Sequence, residues 1–590
     1  MKRPLVFYAV STAMGCLAAL EFIDNFIIGI AIAVLFFVIY VTTLEIKFFL
    51  LNALFFVLAA ISLFNYFSLY PGKNIEIRIL QNKDYYMIGN VKGRKVILSG
   101  NIQALEEGCK IDASGSFETD RDFSRGICGR YNIKNYKLLK KDFVYYSYEY
   151  KRYIYNKFKD MLGKDRTSVV MAVCYGDTKY IDSDKNMEFQ KLGVVHAVSV
   201  SGFHMAIIYK AVEVMLGFKG AVLFSAVYAF FTGMSAATMR SFIMILVFKM
   251  SGAIFREYDS ISSLSLSAVV LMMVKPYYIV DIGFGLSFLS TLGIILYYRS
   301  ISKMLYMLPE KLSSCIGLDL SAQIYSMPYI AFTIQSFSYI SIIGNLILLP
   351  LYSVIVVLGN AALLVSFVKP LFNLLSFCVN MVLTASEGAA SLMLKLCSDV
   401  ACLSYMEGIV ILFSHMAYIL YRAGCRKIKY LPALMLLGVF LESYSFLTEI
   451  TFLNSTRGEA VILNSGFDKL MVCNYDTTYS SWVTDIRDSM EINRLVTNPR
   501  AKYNYFMDKS SFANISLQNN NSMNVNLYND GRQLNFVLGT GKLDEIEAFK
   551  SRKSIYIPKY TSNKSSYRYE NPLDKSITYV IIFNRAIRIR

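Results

Sequence analysis

The chain alternates between long apolar runs and two polar stretches. Apolar runs occupy residues 5–20, 26–44 and 48–70, then 194–218, 221–234, 235–255, 260–274, 277–298, 320–340, 341–368, 371–397, 404–421 and 431–447. At a rise of about 1.5 Å per residue, some 20 apolar residues cross a hydrocarbon core about 30 Å thick. The pattern predicts a polytopic α-helical membrane protein. The start resembles a signal peptide, with Cys16 in lipobox-like surroundings. Ala13-Met14-Gly15 fits that motif poorly and more apolar sequence follows at once, so an uncleaved first helix is expected.

The first polar stretch, 71–141, changes period. Ile75-Glu76-Ile77-Arg78-Ile79, Val96-Ile97-Leu98 and Lys110 to Gly115 alternate or run as short strands between Gly and Asn-Lys turns. This predicts a small β barrel or sandwich of OB-fold size. Residues 142–163 interleave Tyr with Lys and Arg. That pattern suits a base-stacking, phosphate-binding surface or an amphipathic helix at a membrane interface. Residues 300–315 also look amphipathic. The last stretch, 451–590, mixes strand-like runs (Ala460 to Leu463, Lys469 to Val472, Met523 to Leu527, Leu534 to Leu538, Ile555 to Ile557, Tyr579 to Phe583) with helix-like pieces at 481–491 and 543–549. It reads as an α/β domain. The expected parts are therefore 1–70, 71–141, 142–450 and 451–590.

Charge sets an orientation. Lys2 and Arg3 place the N-terminus inside, and three crossings carry 71–141 outside. The basic loop Arg422, Arg426, Lys427 and Lys429 is cytoplasmic, and the 431–447 span returns 451–590 to the external face. Both soluble domains are expected outside the bacterial cytoplasmic membrane. Only 17% of residues are charged and 55% are hydrophobic, against about 25% charged in soluble domains, which argues against a soluble enzyme. The net charge of +17 taken alone favours Lys and Arg in cytoplasmic loops and at helix ends over a polyanionic ligand. Residues 71–141 hold roughly 14 basic and 8 acidic side chains, a bias that suits a phosphate backbone.

Ten cysteines show no CxxC pair. Cys109 and Cys128 alone occupy the first polar stretch, and a disulfide between them is expected if that stretch faces an oxidising compartment. Of three histidines, His196 and His204 flank Ser199, Ser201 and Gly202 in GVVHAVSVSGFHMAII. These groups are either interhelical glue or the polar lining of a path. A shared metal is not expected, because eight residues of unbroken helix separate the imidazoles by about 12 Å. Catalysis there lacks an acidic partner. Arg240, inside SAATMRSFIM, is a candidate phosphate contact or the partner of a helix carbonyl or Asp281. Asp177 is a path residue or a helix N-cap. Gly283, Gly285, Ser287, Ser290 and Gly293 have the spacing of close helix packing. The 451–590 domain contains no histidine, so an imidazole-built metal centre is excluded there. Asp468, Asp476, Asp485, Asp488 and Glu491 could hold Mg²⁺ or be ordinary surface acids. No cofactor is expected.

These motifs resemble the ComEC family of competence proteins. Gly176-Asp177 followed by GVVHAVSVSGFHMAII is similar to its G-x-x-H-x-x-x-x-SG-x-H. SAATMRSFIM and DIGFGLSFLSTLGI resemble two further signatures, and Pro328, Phe337, Asn345 and Pro350 match its final run. The resemblance spans roughly 1–450. It implies a membrane channel for single-stranded DNA in natural transformation, with an external OB-like domain and a C-terminal metallo-β-lactamase-like domain. In this chain Asn498, Tyr503, Gly541-Lys542 and Lys559-Tyr560 fall where that domain carries its metal ligands. A domain without metal ligands, and no nuclease activity, is expected. The resemblance also implies an external DNA receptor and, since no Walker A motif is present, a cytoplasmic helicase; a homodimer is compatible with it. The rival reading is a membrane scaffold that no longer transports. A transferase reading lacks a histidine in residues 71–141.

Overall fold

The computed structural model describes residues 3–588, apart from 73, 84–85, 103–104, 397–400, 456–457, 474–485, 487–489, 491, 493, 498–502, 509–510, 519–521, 530–531, 540–553, 559–575 and 583–584. The chain divides into two units. One holds Met1–Tyr329 with Phe337–Val400, and the other Ile330–Ser336 with Ala401–Arg590.

The first unit begins with α1 (Pro4–Asp24), α2 (Phe26–Thr43) and α3 (Ile46–Phe67). Pro4 starts α1, where its missing N–H costs nothing, and Asn25 caps α2 through Ile27 N at 3.2 Å. Arg3 forks onto Asp259, both contacts at 3.1 Å, which ties the start of α1 to a later helix.

Five strands follow: β1 (Asn74–Lys83), β2 (Tyr86–Val91), β3 (Arg94–Gly100), β4 (Lys110–Glu118) and β5 (Ile127–Leu138). They close a barrel in the order β1-β2-β3-β5-β4. Alternate side chains Ile77, Ile79, Val96, Leu98 and Ile111 fill it with no exposed surface, as the period-two pattern requires. Lys92 and Gly93, both at positive φ, make the two-residue β2–β3 turn. The barrel core continues into Leu63, Tyr66 and Phe67 of α3 and into Tyr277 and Tyr278. Tyr66 Oη donates to Gly126 O at 2.9 Å.

The expected Cys109–Cys128 disulfide is absent, and both are free thiols. The β4–β5 register, Ile111 opposite Leu138 and Glu118 opposite Arg130, puts the two cysteines at opposite ends of the ladder. At about 3.3 Å per residue that is on the order of 25 Å, far beyond disulfide reach. Cys128 Sγ instead lies 3.2 Å from Tyr66 O.

α4 (Phe143–Leu162) is the Tyr/Lys segment. It is amphipathic, and much of its aromatic and basic chemistry is engaged in packing. Tyr150 Oη donates to Leu363 O at 2.8 Å, Tyr155 stacks on Tyr180 with centroids 3.9 Å apart, and Lys157 donates to Ser366 O at 2.5 Å. That favours the amphipathic-helix reading over a base-stacking surface. Asp142 caps α4 through Tyr145 N and clasps Arg78 of β1 with both oxygens.

The helices after it are α5 (Lys164–Tyr175), α6 (Ser183–Lys191), the single turn α7 (Val195–Val198), α8 (Gly202–Phe231), α9 (Ala236–Ala253), α10 (Ser260–Val274), α11 (Ile282–Met304), α12 (Glu310–Thr333), α13 (Ser341–Leu364) and α14 (Lys369–Leu396). Eight described helices are long and apolar enough to cross a membrane: α1, α2, α3, α8, α9, α11, α13 and α14. The runs predicted at 194–218 and 221–234 meet at Gly217, where α8 breaks into two helical pieces; its φ of 68° is one that only glycine adopts easily. The predicted 300–315 amphipathic segment is instead the end of α11, a turn, and the start of α12.

α11 and α12 pair antiparallel. A Cβ on Gly285 would fall 2.5 Å from Tyr329 Oη, and one on Gly293 would fall 2.3 Å from Ser321 O. The small residues singled out in the sequence thus let two backbones approach.

The second unit contains α15 (Tyr405–Arg422), α16 (Leu431–Ser443) and two sheets. One sheet has the order Arg494–Thr497, Asp468–Cys473, Gly458–Gly466, Ser445–Ser455, Ile577–Ile582, Arg585–Arg588. The other runs Tyr503–Asp508, Ser511–Gln518, Ser522–Asn529, Arg532–Gly539, Ser554–Pro558. A core of Ile450, Phe452, Leu463, Ile515, Val525 and Phe536 joins them. Every predicted strand run there falls on a strand. Of the predicted helical piece 481–491 only Ile486 and Met490 are described, joined by a Met490 N to Ile486 O bond of 3.0 Å; the piece 543–549 and the positions Asn498, Gly541, Lys542, Lys559 and Tyr560 lie outside the described residues, as do Asp476, Asp485, Asp488 and Glu491.

Two expectations follow. Arg78 holds the Asp142 carboxyl well below the usual carboxylate range. A depressed value means the clasp contributes fully above the unfolded value near pH 4 and is lost as pH falls below it. Amide exchange at residues 74–83 should therefore accelerate selectively on acidification, and Asp142→Asn should remove the pH step; with Asp142 partly exposed, the effect is about 1 kcal/mol or less. In the folded protein, intact mass should be unchanged by reductant, and Cys109 should alkylate ahead of the buried Cys128.

Candidate functional site

The predicted polar motif sits where the helical path is broken. Gly193, at φ 69°, turns the chain after α6. α7 gives one turn, Ser199 and Ser201 are extended, and α8 starts at Gly202. The apolar residues Val194, Ala197, Val198 and Val200 are buried on one side. Val195, His196 and Ser199 are left exposed. Val195, Val198 and Ser199 border a cavity of about 250 Å³ completed by Thr178, Ile181, Ser183, Asn186 and Phe189.

His204 behaves differently. It is 1% exposed, and its Nδ1 accepts from Ser201 N at 2.9 Å, with Ser201 Oγ also at 2.9 Å. The imidazole caps α8, satisfying a backbone donor at the helix start. His204 was expected to line a path; it is a buried positioning group. Backbone groups of Gly193 and Ala197 hydrogen-bond His196 and His204 respectively, and the two rings are close enough to interact electrostatically.

Arg240 lies on α9 against this helix start. A Cβ on Gly202 would fall 2.7 Å from Arg240 Nη2 and 2.1 Å from Ser241 Oγ, so glycine permits the approach. Arg240 Nε donates to Ser287 Oγ at 2.9 Å, Nη1 to Thr291 Oγ1, and Nη2 to Ser241 Oγ at 3.3 Å. Among the described residues no carboxylate pairs with it. Asp281, the predicted alternative partner, instead caps α11 through Phe284 N at 2.7 Å. Ser287 and Thr291 are one turn apart near the middle of α11, on the face opposite Gly285 and Gly293. One face of α11 thus serves Arg240 and the other serves α12. Arg240 as a residue is half-buried. Its hydroxyl partners are neutral, so its charge is free to meet an anion's oxygens.

Asp177 is not part of this cluster. Its carboxylate lies 3.3 Å from Lys179 Nζ, which also contacts Glu107 at 2.5 Å. Burial works against the Lys179 ammonium, but the Asp177 and Glu107 carboxylates outweigh it and hold its pKa above the ordinary lysine value. Arg152 of α4 reaches Glu106 and Glu107 O, both at 3.0 Å. Asp177 therefore belongs to a charge cluster joining the barrel's 106–108 loop to α4 and the end of α5. Gly176 caps α5 at φ 71°, a positive-φ position suited to glycine.

Asn345 is 9% exposed and donates to Asp319 Oδ1 at 2.8 Å. Gly344 and Gly193 bring the start of α13 against the turn after α6: their Cβ atoms would fall 2.4 Å from Leu192 O and 2.5 Å from Ser341 Cβ. Pro350 lies inside α13. Gly283 meets only Asp281 Oδ1, at 3.2 Å, so it contributes no helix contact. His415 lies in α15, in the other unit. Thr291, Ser241 and Asp319 escaped prediction. Thr291 could have been found from its i, i+4 relation to Ser287; Ser241 and Asp319 carry no such signal. Among the described residues no group of three or more His, Cys, Asp or Glu side chains could hold a metal ion.

A family model described as "Competence protein" matches residues 173–422, the segment that carries this cluster. That segment is similar to competence proteins of the ComEC family. Its relatives include ComE operon protein 3 of Bacillus subtilis, 27% identical over 230 residues that cover 38% of this chain and 29% of the relative. Recombination protein 2 of Haemophilus influenzae is 22% identical over 224 residues, covering 34% and 28%. An uncharacterised protein of Aquifex aeolicus is 23% identical over 231 residues, covering 37% and 53%. The match thus spans less than a third of the first two relatives and about half of the third. No solved structure matches the chain. The span-length helices fit a multi-pass membrane protein of this family.

Two glycines separate packing from positioning. Gly293→Ala should push α11 off the α12 backbone, costing roughly 1–3 kcal/mol and lowering the thermal midpoint of the purified protein. Gly202→Ala meets the side chains of Ser241 and Arg240 instead of backbone, and should lower the midpoint less than Gly293→Ala while displacing the Arg240 guanidinium.

Proposed function

We propose that this ComEC-family protein conducts single-stranded DNA through the cytoplasmic membrane during competence, without nuclease activity of its own. The observation that carries the reading is Arg240: a guanidinium in the second turn of a span-length apolar helix, with three hydroxyl partners and no described counter-ion. Holding a charge inside a membrane segment is costly, and no described carboxylate offsets it. A passing phosphate supplies the missing charge. His196 and Ser199 extend the polar surface towards the cavity beside α6 and α7. The five-stranded barrel, with its parallel β3–β5 pair and basic excess, supports an OB-like DNA-receiving domain on the external side. The C-terminal domain is a metallo-β-lactamase-like fold without metal ligands, external like the barrel, which guides DNA or braces the channel. Its complete lack of histidine supports that. A DNA receptor outside, a helicase inside and surrounding lipid complete the apparatus, and the chain acts alone or as a homodimer.

The test is uptake of labelled DNA by cells lacking the endogenous protein and supplied with Arg240→Gln. Loss of a charge-assisted contact worth about 1.5–3 kcal/mol lowers uptake roughly 10- to 100-fold, with unchanged amounts in the membrane. Wild-type uptake by the variant would contradict the conduit. Failure of the wild-type chain itself to support uptake would favour the scaffold reading.

A further inference from the structure

Asp319 is the residue the DNA reading leaves unused. It lies on α12, whose antiparallel register with α11 pairs residues 293 with 321 and 285 with 329. Asp319 is therefore level with Ile295. Gly293 is at the centre of α11, a helix long and apolar enough to cross a membrane. The carboxylate thus lies level with the central part of α11 and beside the second turn of α13, both helices of span length.

Its partners are neutral. Asn345 Nδ2 donates to Oδ1 at 2.8 Å, and Gln323 Nε2 donates to Oδ2 at 3.2 Å. No cation pairs with it among the described residues. α13 brings no charged side chain. α11 brings Tyr297, with Arg299 and Lys303 exposed towards its C-terminal end. On α12 itself Glu310 and Lys311 lie two turns or more away. One atom beside the carboxylate is left over: the Asn345 side-chain oxygen is buried without a hydrogen-bond partner.

Asp319 is half-buried, and an ionised carboxylate partly withdrawn from water without a counter-ion is disfavoured against its neutral, protonated form. The donor set decides what neutralises it. A metal cation needs several oxygen ligands, and here each carboxylate oxygen already faces an N–H. A proton needs one oxygen. We propose that Asp319, held by Asn345 and Gln323, is an intramembrane proton-binding site. The carboxylate takes one proton from water and loses its negative charge. The Asn345 amide, whose two ends exchange by a half-turn, then presents its unpartnered oxygen to the new O–H. This inference needs the helices to lie in a bilayer and is independent of whether DNA passes.

The test uses the full-length protein in lipid vesicles and a hydrophobic carbodiimide, which reacts with protonated buried carboxyls, with sites mapped by mass spectrometry. At about pH 7 an ordinary aspartate is protonated in roughly one part in a thousand. Asp319 should instead be modified readily, less so as pH rises, and equally in sodium and choline salts. An infrared band for a carboxylic acid at that pH, lost in Asp319→Asn, gives a readout independent of reagent access. Absence of the infrared band would overturn the proposal. Protection by sodium would overturn it in favour of a metal-cation site.

Discussion

A guanidinium whose oxygen partners are all hydroxyls, set among apolar helices, constrains the structure around it. Each neutral hydrogen bond is worth about 1 kcal/mol, so Arg240 must collect several to be held. Ser287 and Thr291 must therefore share one face of α11, and Ser241 must stand beside it on α9. Gly202 must lack a side chain so that α8 begins against the guanidinium. The opposite face of α11 is then left for α12, and Gly285 and Gly293 close that contact. The His204 cap fixes where α8 starts, and with it the position of Gly202.

The same economy governs the periphery. The Tyr- and Lys-rich α4 joins the barrel to the helices through Asp142, Arg152 and the Lys179–Glu107–Asp177 cluster. Tyr66 and Tyr277 seat the barrel on the other side. The barrel is thus held between two helical elements of its own unit.

Much of this was legible in the sequence. Apolar run length located the membrane helices, and period-two alternation located β1, β3 and β4. The less regular Tyr86–Val91 and Ile127–Leu138 strands were not seen, because turn spacing alone does not announce a strand whose pattern is interrupted by Gly and Asn. The spacing of Gly285, Ser287 and Gly293 announced close packing, but which face met which helix depends on tertiary pairing. The Cys109–Cys128 expectation failed because proximity in sequence composition says nothing about register: an antiparallel ladder puts its two ends far apart. Asp177 and His204 were recognised as polar and misplaced for a similar reason. Their partners, Lys179 with Glu107 and the Ser201 backbone, become visible only once the chain has turned at Gly176 and Gly202.

The central claim is that the face carrying His196, Ser199 and Arg240 is wet. The most direct measurement replaces Ser199 or Ser287 by cysteine in a background whose ten native cysteines are changed to serine, and follows reaction with a small, charged, membrane-impermeant thiol reagent. The account predicts rapid modification at both positions, slowed by single-stranded DNA, and none at Leu289 on the same helix. Silence at Ser199 and Ser287 alike, in a folded and inserted protein, would mean that the hydroxyls and the guanidinium merely hold dry helices together.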